Sequence, residues 1–225
     1  RCESDDCPGE TVCLAEVCAA LPEPTAAVAI DPSIEYQTLV GFGAGVAWPT
    51  DEVAHHPESA AVFDAMFGES GIAVLRLFNQ YDGADTDLTS SVTIVDAAAE
   101  RVGREPTVLL SSSSPPAALK ANGAKLCSGN PDTCTLVQAA DGTFDYAGFA
   151  LHWRESLVAY AAVGVAPDYI SIQNDPNWTP PSSDDIEACR FLPTEGTTTV
   201  DVNGTDVEVA YPGYDEALAA VVQEL

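Results

Sequence analysis

The chain has 225 residues, 46% of them apolar, enough to bury a sizeable core in one or two domains and too many for wholesale disorder. A formal charge of −27 at pH 7 repels a phosphate backbone, which argues against nucleic acid as a partner, and it disfavours an anionic membrane. No apolar run approaches the roughly 18 residues of a membrane span, and a neutral ligand suits this acidic, well-solvated surface.

The chain starts at Arg1 without a visible leader and reads as a processed or cut piece of something longer. Residues 1–20 hold "CESDDCPGETVCLAEVC", with Cys2, Cys7, Cys13 and Cys18. These spacings are wider than the C-x2-C knuckles of zinc sites, and no histidine stands beside them, so a disulfide-stapled segment with three possible pairings is expected. Such a staple implies an oxidising, secreted or extracytoplasmic location. "LPEPTAA" (21–27) reads as a Pro-rich linker, and residues 28–225 as the main domain.

From there strand and helix patterns alternate. "YQTLVGFGAG" looks like a strand running into a glycine turn. "PESAAVFDAMFG" has a Pro start, helical apolar spacing and a Gly stop. "IAVLRLF" and "PTVLLS" are short buried strands, separated by the helix "SVTIVDAAAERVG" with Gly103 at its end. A long loop carries "SSSSPPAALKANG" and "CSGNPDTC". Gly129 and Pro131 allow the tight turn that would join Cys127 to Cys134, leaving Cys189 over. In "DYAGFALHWRESLVAYAAVG" the residues Tyr146, Phe149, Trp153, Leu157 and Tyr160 recur at helical steps, and Gly164 supplies a left-handed stop. "DYISIQN" is the next strand. "TTTVDVNGTDVEVAY" carries an Asn-Gly turn between alternating valines, the mark of a hairpin, and "YDEALAAVVQEL" is a terminal helix.

Strands alternating with crossover helices predict an α/β fold with a parallel sheet, and strands this apolar predict cover on both faces. Four βα units are visible where a parallel barrel has eight, so the chain reads as the first half of a (β/α)8 TIM barrel. The alternative is an open doubly wound sheet, but "GFGAG" lacks the G-x-G-x-x-G spacing of a dinucleotide loop. No motif calls for a cofactor. "SSSSPP" has no G-x-S-x-G elbow around it, and "DGADTD" does not follow the order of a calcium loop, so no metal is expected.

In a parallel barrel, polar residues at strand C-termini face the ligand. Asn174 and Asp175 follow the fourth strand, where a solvent-facing Asx turn before Pro176 is the plainer alternative. Arg76 interrupts "VLRLF", pointing away from Leu75 and Leu77, and Asn79 lies just beyond. A buried arginine needs a polar or anionic partner, supplied either by an internal ion pair or by a site.

"SIQNDPNWTPPSSDDIEACRF" resembles the "SIQNEP" segment of glycoside hydrolase family 30, and its xylanase-like members above all. "GFGAG", "VFDAMFGESGIAVLRLFNQYDG", "LLSSSSPPAALKANG", "FDYAGFALHWRESLVAYAAVGVAPDYISIQN" and "PGYDEALAAV" occur in family order, so the resemblance covers nearly all of residues 34–225. It implies a (β/α)8 barrel and retaining hydrolysis of a β-linked polysaccharide such as xylan, neutral or weakly acidic, by two carboxylates about 5–5.5 Å apart. Carried over by position, Asp175 takes the acid/base place, Asn174 holds the sugar 2-hydroxyl, and Arg76 supports the ionised nucleophile of a seventh strand. Trp48, Asn79, Tyr81 and Trp178 become candidate sugar contacts.

Three departures stand out. Asp175 replaces the family's Glu, with a stem shorter by about 1.5 Å, and a misplacement of about 1 Å can cost on the order of 100-fold in rate. Ser113 stands where the family has an aromatic platform. The chain also stops after the fourth helix, so the nucleophile and the C-terminal half of the barrel are expected on another segment or chain. A non-catalytic polysaccharide-binding relative is the alternative function, and an interaction protein working through its Cys-rich head is a third.

Overall fold

The computed structural model describes residues 11–14, 17–20, 29, 31, 33–46, 50–127, 131–180 and 186–225. The staple expected among Cys2, Cys7, Cys13 and Cys18 lies outside the side chains so described, as does Trp48. The chain divides into two units, 1–39 and 40–225, with the boundary beyond the Pro-rich stretch. In the first, β1 (Thr11–Leu14) and β2 (Val17–Ala20) pair antiparallel, Cys13 opposite Cys18 in register.

The second unit runs β3 (Gly43–Gly45), α1 (Thr50–Ala54), α2 (Ser59–Phe63) with a π-helical continuation over Asp64–Glu69, β4 (Val74–Phe78), α3 (Thr89–Val102) and β5 (Thr107–Ser111). It continues through β6 (Leu126–Cys127), α4 (Tyr146–Ala162), β7 (Tyr169–Ser171), β8 (Ile186–Glu187), the hairpin β9 (Gly196–Val202) and β10 (Thr205–Tyr211), and α5 (Tyr214–Glu224). Strands β3, β4, β5 and β7 form one parallel sheet in that order, each joined to the next through helix. This is the mixed α/β architecture expected. Among the described residues no helix is long and apolar enough to cross a membrane.

The first strand differs from the expectation. Tyr36, Leu39, Val40 and Phe42 are exposed, and the strand is the glycine stretch itself. The reason is close approach: a Cβ on Gly43 would lie 2.7 Å from the Val74 carbonyl oxygen and 2.8 Å from its Cβ. Only a residue without a side chain lets this backbone pair with β4. The second helix likewise passes through Gly68 as a π turn rather than stopping there.

Two-sided cover is also corrected. Alternation along β4 and β5 buries Leu75, Leu77, Val108 and Leu110 with Ile94, Ala98, Phe149 and Trp153 of α3 and α4. The opposite face carries Val74, Arg76 and Leu109, half-buried, and Tyr169, which is exposed. Within this unit the helices cover one face only. In α4, Phe149, Trp153, Ser156 and Tyr160 are buried at three- and four-residue steps, and the Asp145 side chain caps the helix by accepting from the Gly148 amide at 2.8 Å.

The valine hairpin forms as read. Asn203 and Gly204 both take positive φ, 55° and 82°, as a two-residue type I′ turn demands. The hairpin is tied down at its base. Tyr211 donates to the Pro131 carbonyl, Arg190 stacks 4.7 Å over the Tyr211 ring, and the Tyr146 hydroxyl bridges the Glu195 carboxylate (2.7 Å) and the Gly213 amide (2.8 Å). Burial and the adjacent Glu195 carboxylate push the Tyr146 phenol well up.

Two outcomes follow. Gly43→Ala should cost about 1–3 kcal/mol through overpacking against Val74, read as a lower urea midpoint at unchanged slope. His152 on α4 is 7% exposed, and burial drives its imidazole down to about 4 from an ordinary 6.5. Between those values the unfolded chain binds a proton that the folded chain refuses, so this contribution is whole above pH 6.5 and lost as pH falls toward 4. His152→Gln should flatten the stability-versus-pH curve in that window by on the order of 2–3 kcal/mol, measured by urea unfolding at stepped pH.

Candidate active site

The C-terminal ends of β4, β5 and β7 lie side by side, with Phe78 opposite Ser111 and Ser111 opposite Ser171. Arg76 occupies the middle of β4, on the face away from Leu75 and Leu77, which are fully buried. Its Nη2 donates to Ser111 Oγ at 3.1 Å and to Asn174 Oδ1, and its guanidinium lies 5.2 Å over the Phe78 ring. Among the described residues no carboxylate pairs with it. Of the two partners the sequence left open, the internal ion pair is not the one found: the cation rests on a hydroxyl, an amide oxygen and a ring.

Asn174 continues the row. Its backbone amide donates to the Ser112 carbonyl at 2.6 Å, and its Nδ2 donates to Asp175 Oδ2 at 2.7 Å. Arg76 is thus hydrogen-bonded to Asn174, 98 positions away in sequence, and through it in series to Asp175. Asp175 has φ +46°, a left-handed backbone that non-glycine residues adopt at a cost of order 1 kcal/mol and that clusters at functional sites. The turn is held by the Trp178 amide on the Asp175 carbonyl (3.0 Å) and the Phe191 amide on the Pro176 carbonyl (2.6 Å).

Asn174, Asp175, Asn177 and Trp178 line a cavity of about 450 Å³, closed on its far side by Ile186, Glu187 and Ala188. Trp178 is 40% exposed, leaving ring surface free at the cavity. Asn79, expected among the sugar contacts, is instead turned inward: its Nδ2 donates to Ser156 Oγ at 2.9 Å and its Oδ1 accepts from the Tyr81 amide at 3.1 Å. Tyr81 lines other cavities, with its ring 5.8 Å from that of His152. Ser113 is buried at 4% exposure, and its hydroxyl finds no partner among the described residues.

The far wall has no sequence signal that would have announced it. β8 pairs with β6, Cys127 opposite Ile186, and β6 is anchored by the Cys127–Cys134 disulfide. Lys120, 3% exposed, reaches into the same place: its Nζ donates to Ser114 Oγ and the Lys125 carbonyl, each at 3.2 Å, and to the Ala188 carbonyl. Burial lowers its ammonium from the ordinary value. Cys189 is buried and unbridged, its thiol pushed up to about 12 by burial.

No family model matches the sequence, and no curated protein sequence matches it. Solved structures do. A glycoside hydrolase family 30 subfamily 8 xylanase from Clostridium acetobutylicum matches with a TM-score of 0.53 and 23% identity, covering 71% of this chain and 37% of that one. The catalytic domain of a family 30 xylanase from Talaromyces cellulolyticus matches with a TM-score of 0.53 and 18% identity, over 72% and 41%. SrfJ from Salmonella typhimurium gives 0.53 and 18%, over 69% and 38%. The fold is therefore that of part of a family 30 glycoside hydrolase structure, the family that the sequence motifs resemble. The chain spans about two fifths of the length of these structures.

Peptide mapping without reductant should recover Cys127 and Cys134 as one linked pair, with Cys189 alkylated only after unfolding. Replacing both bridged cysteines by serine should cost about 2–3 kcal/mol for so short a loop, read by urea unfolding.

Proposed function

We propose that this chain is the first half of a (β/α)8 barrel and carries the acid/base side of a secreted retaining β-glycanase acting on xylan-type polysaccharide. The observation that supports it best is the row Arg76–Asn174–Asp175, which links the middle of β4 to the segment just after β7, beside a cavity with an exposed tryptophan. Asp175 protonates the leaving glycosidic oxygen, then takes the proton from the water that resolves the glycosyl intermediate. Asn174, oriented by Arg76 on its Oδ1, offers Nδ2 to the sugar 2-hydroxyl. Trp178 supplies a stacking face.

The nucleophile is a second carboxylate from a strand beyond these residues, about 5–5.5 Å from Asp175 in a retaining enzyme. Arg76, half-buried on neutral partners, is placed to hold that carboxylate ionised. Its strands also complete the half-open sheet face that carries Leu109 and Tyr169. The charge of −27 selects a neutral or weakly acidic glycan over a polyanion. The buried disulfide supports an oxidising compartment, with residues 1–20 as a separate stapled head and 21–27 as its linker.

The second reading, a relative that binds polysaccharide without cutting it, draws on the short stem of Asp175 and on Ser113, which offers no platform. Hydrolysis separates the two. The 225 residues alone should release no reducing sugar from xylan, since retention needs both carboxylates. In the completed barrel, Asp175→Ala should lower kcat by about 100-fold or more on poor leaving groups and far less on activated aryl glycosides. Asp175→Glu should raise the rate by restoring reach. An Ala variant equal to the parent on both substrate classes removes Asp175 from the acid/base role.

A further inference from the structure

A second cavity, of about 520 Å³, lies away from Asp175, between the loop after β4, the turn after β5 and the outer face of α4. Tyr81, Asp82, His152, Glu155 and Leu151 line it. Its floor is the His152 imidazole, 7% exposed and held between the rings of Tyr81 and Trp153. An imidazole that borders a cavity can offer its ring nitrogens to a ligand there.

The other lining groups fit one kind of visitor. The Tyr81 ring lies 5.8 Å from His152 at a 32° tilt, and its backbone N–H donates to Asn79 Oδ1 at 3.1 Å. Asp82 and Glu155 are exposed carboxylates, acceptors for hydroxyl groups. His152 is neutral above about pH 4, so one ring nitrogen donates and the other accepts. An aromatic face beside acceptors and one neutral donor–acceptor pair matches a pyranose, apolar on its faces and hydroxylated at its edge. A third cavity, of about 490 Å³, shares Tyr81, Gly83 and Glu155, so the lining continues past Tyr81 along α4 and has room for a linear chain of sugars. Among the described residues no cluster of side chains suits a metal ion.

We infer that Tyr81, Asp82, His152 and Glu155 form a second glycan-binding site, separate from the cavity at Asp175, which holds a neutral polysaccharide chain. Xylan as the polymer rests on the function proposed above; glycan binding at this place does not. Such a site would keep the protein on an insoluble polymer while the cavity at Asp175 engages a neighbouring stretch, with the benefit of effective concentration.

The test uses the whole chain and two probes, β-1,4-xylohexaose and β-1,4-cellohexaose, followed through the imidazole proton resonances. The chain has three histidines, and His55 and His56 are exposed and serve as internal controls. One of the probes should shift the His152 resonance saturably and leave the other two in place. Glu155→Gln, an exposed and conservative change, and Tyr81→Ala should each weaken that titration by about tenfold, the worth of one charged hydrogen bond or a stacking face. Trp178→Ala should leave it unchanged, which separates this site from the one at Asp175. A His152 resonance that ignores both sugars overturns the inference. So does a titration that Trp178→Ala abolishes, or one that Glu155→Gln and Tyr81→Ala both leave intact with the fold confirmed by circular dichroism. If the Asp175 variants hydrolyse like the parent while His152 still titrates, the catalytic reading fails and this one stands.

Discussion

An arginine in the middle of a parallel strand sets the conditions for the rest of this molecule. Arg76 sits between two fully buried leucines, yet its own side must stay polar. A guanidinium half out of water costs several kcal/mol unless it is bonded on its donors. The ends of β5 and β7 meet that demand with Ser111 and Asn174. Because Asn174 is held from one side, its amide is turned to Asp175 on the other. The cation on one strand thus orients the carboxylate after another, and the register of the sheet is what permits it. Among the described residues no anion pairs with this cation, which leaves its outer side to neutral partners.

The site's outer wall follows from a different economy. The loop between β5 and α4 is long, and a long loop left to itself would not hold a cavity open. Here a short disulfide fixes Cys127, which pairs β6 with β8, and a buried ammonium gathers carbonyls from both sides of the wall. Lys120 therefore does in the loops what Arg76 does in the sheet: a desolvated cation recruits oxygens from distant segments, and their convergence defines a surface. The hairpin adds a third tie through Tyr146, whose hydroxyl joins α4 to Glu195 and to the start of α5.

Charge is unevenly distributed between the signs in this chain. The chain has 35 acidic and 8 basic residues, and the basic ones among the described residues keep bonding partners close. Arg76 and Lys120 are used internally, Arg101 pairs with Asp64 at 2.7 Å and Arg154 with Glu224 at 2.7 Å.

Local periodicity was enough to read α3, α4, α5, β4, β5 and the hairpin, because each depends on side chains a few residues apart and on glycines or an Asn-Gly pair at the turns. The Cys127–Cys134 bridge was legible for the same reason, being closed within one short loop. Arg76, Asn174 and Asp175 could be singled out because polar residues at strand ends have few structural uses, and a motif resemblance gave them roles. Their bonding to one another could not be read, since it depends on the register between strands separated by many residues. Neither could β3, whose glycines look like a turn until the Val74 backbone is known to approach within reach of an absent Cβ. Asn79 was legible as polar and near the site, but only the position of Ser156 on α4 decided that it faces inward. Glu187, Lys120 and His152 carried no pattern at all. A buried cation or a buried imidazole is defined by what surrounds it, and those surroundings come from segments that meet only when the chain folds.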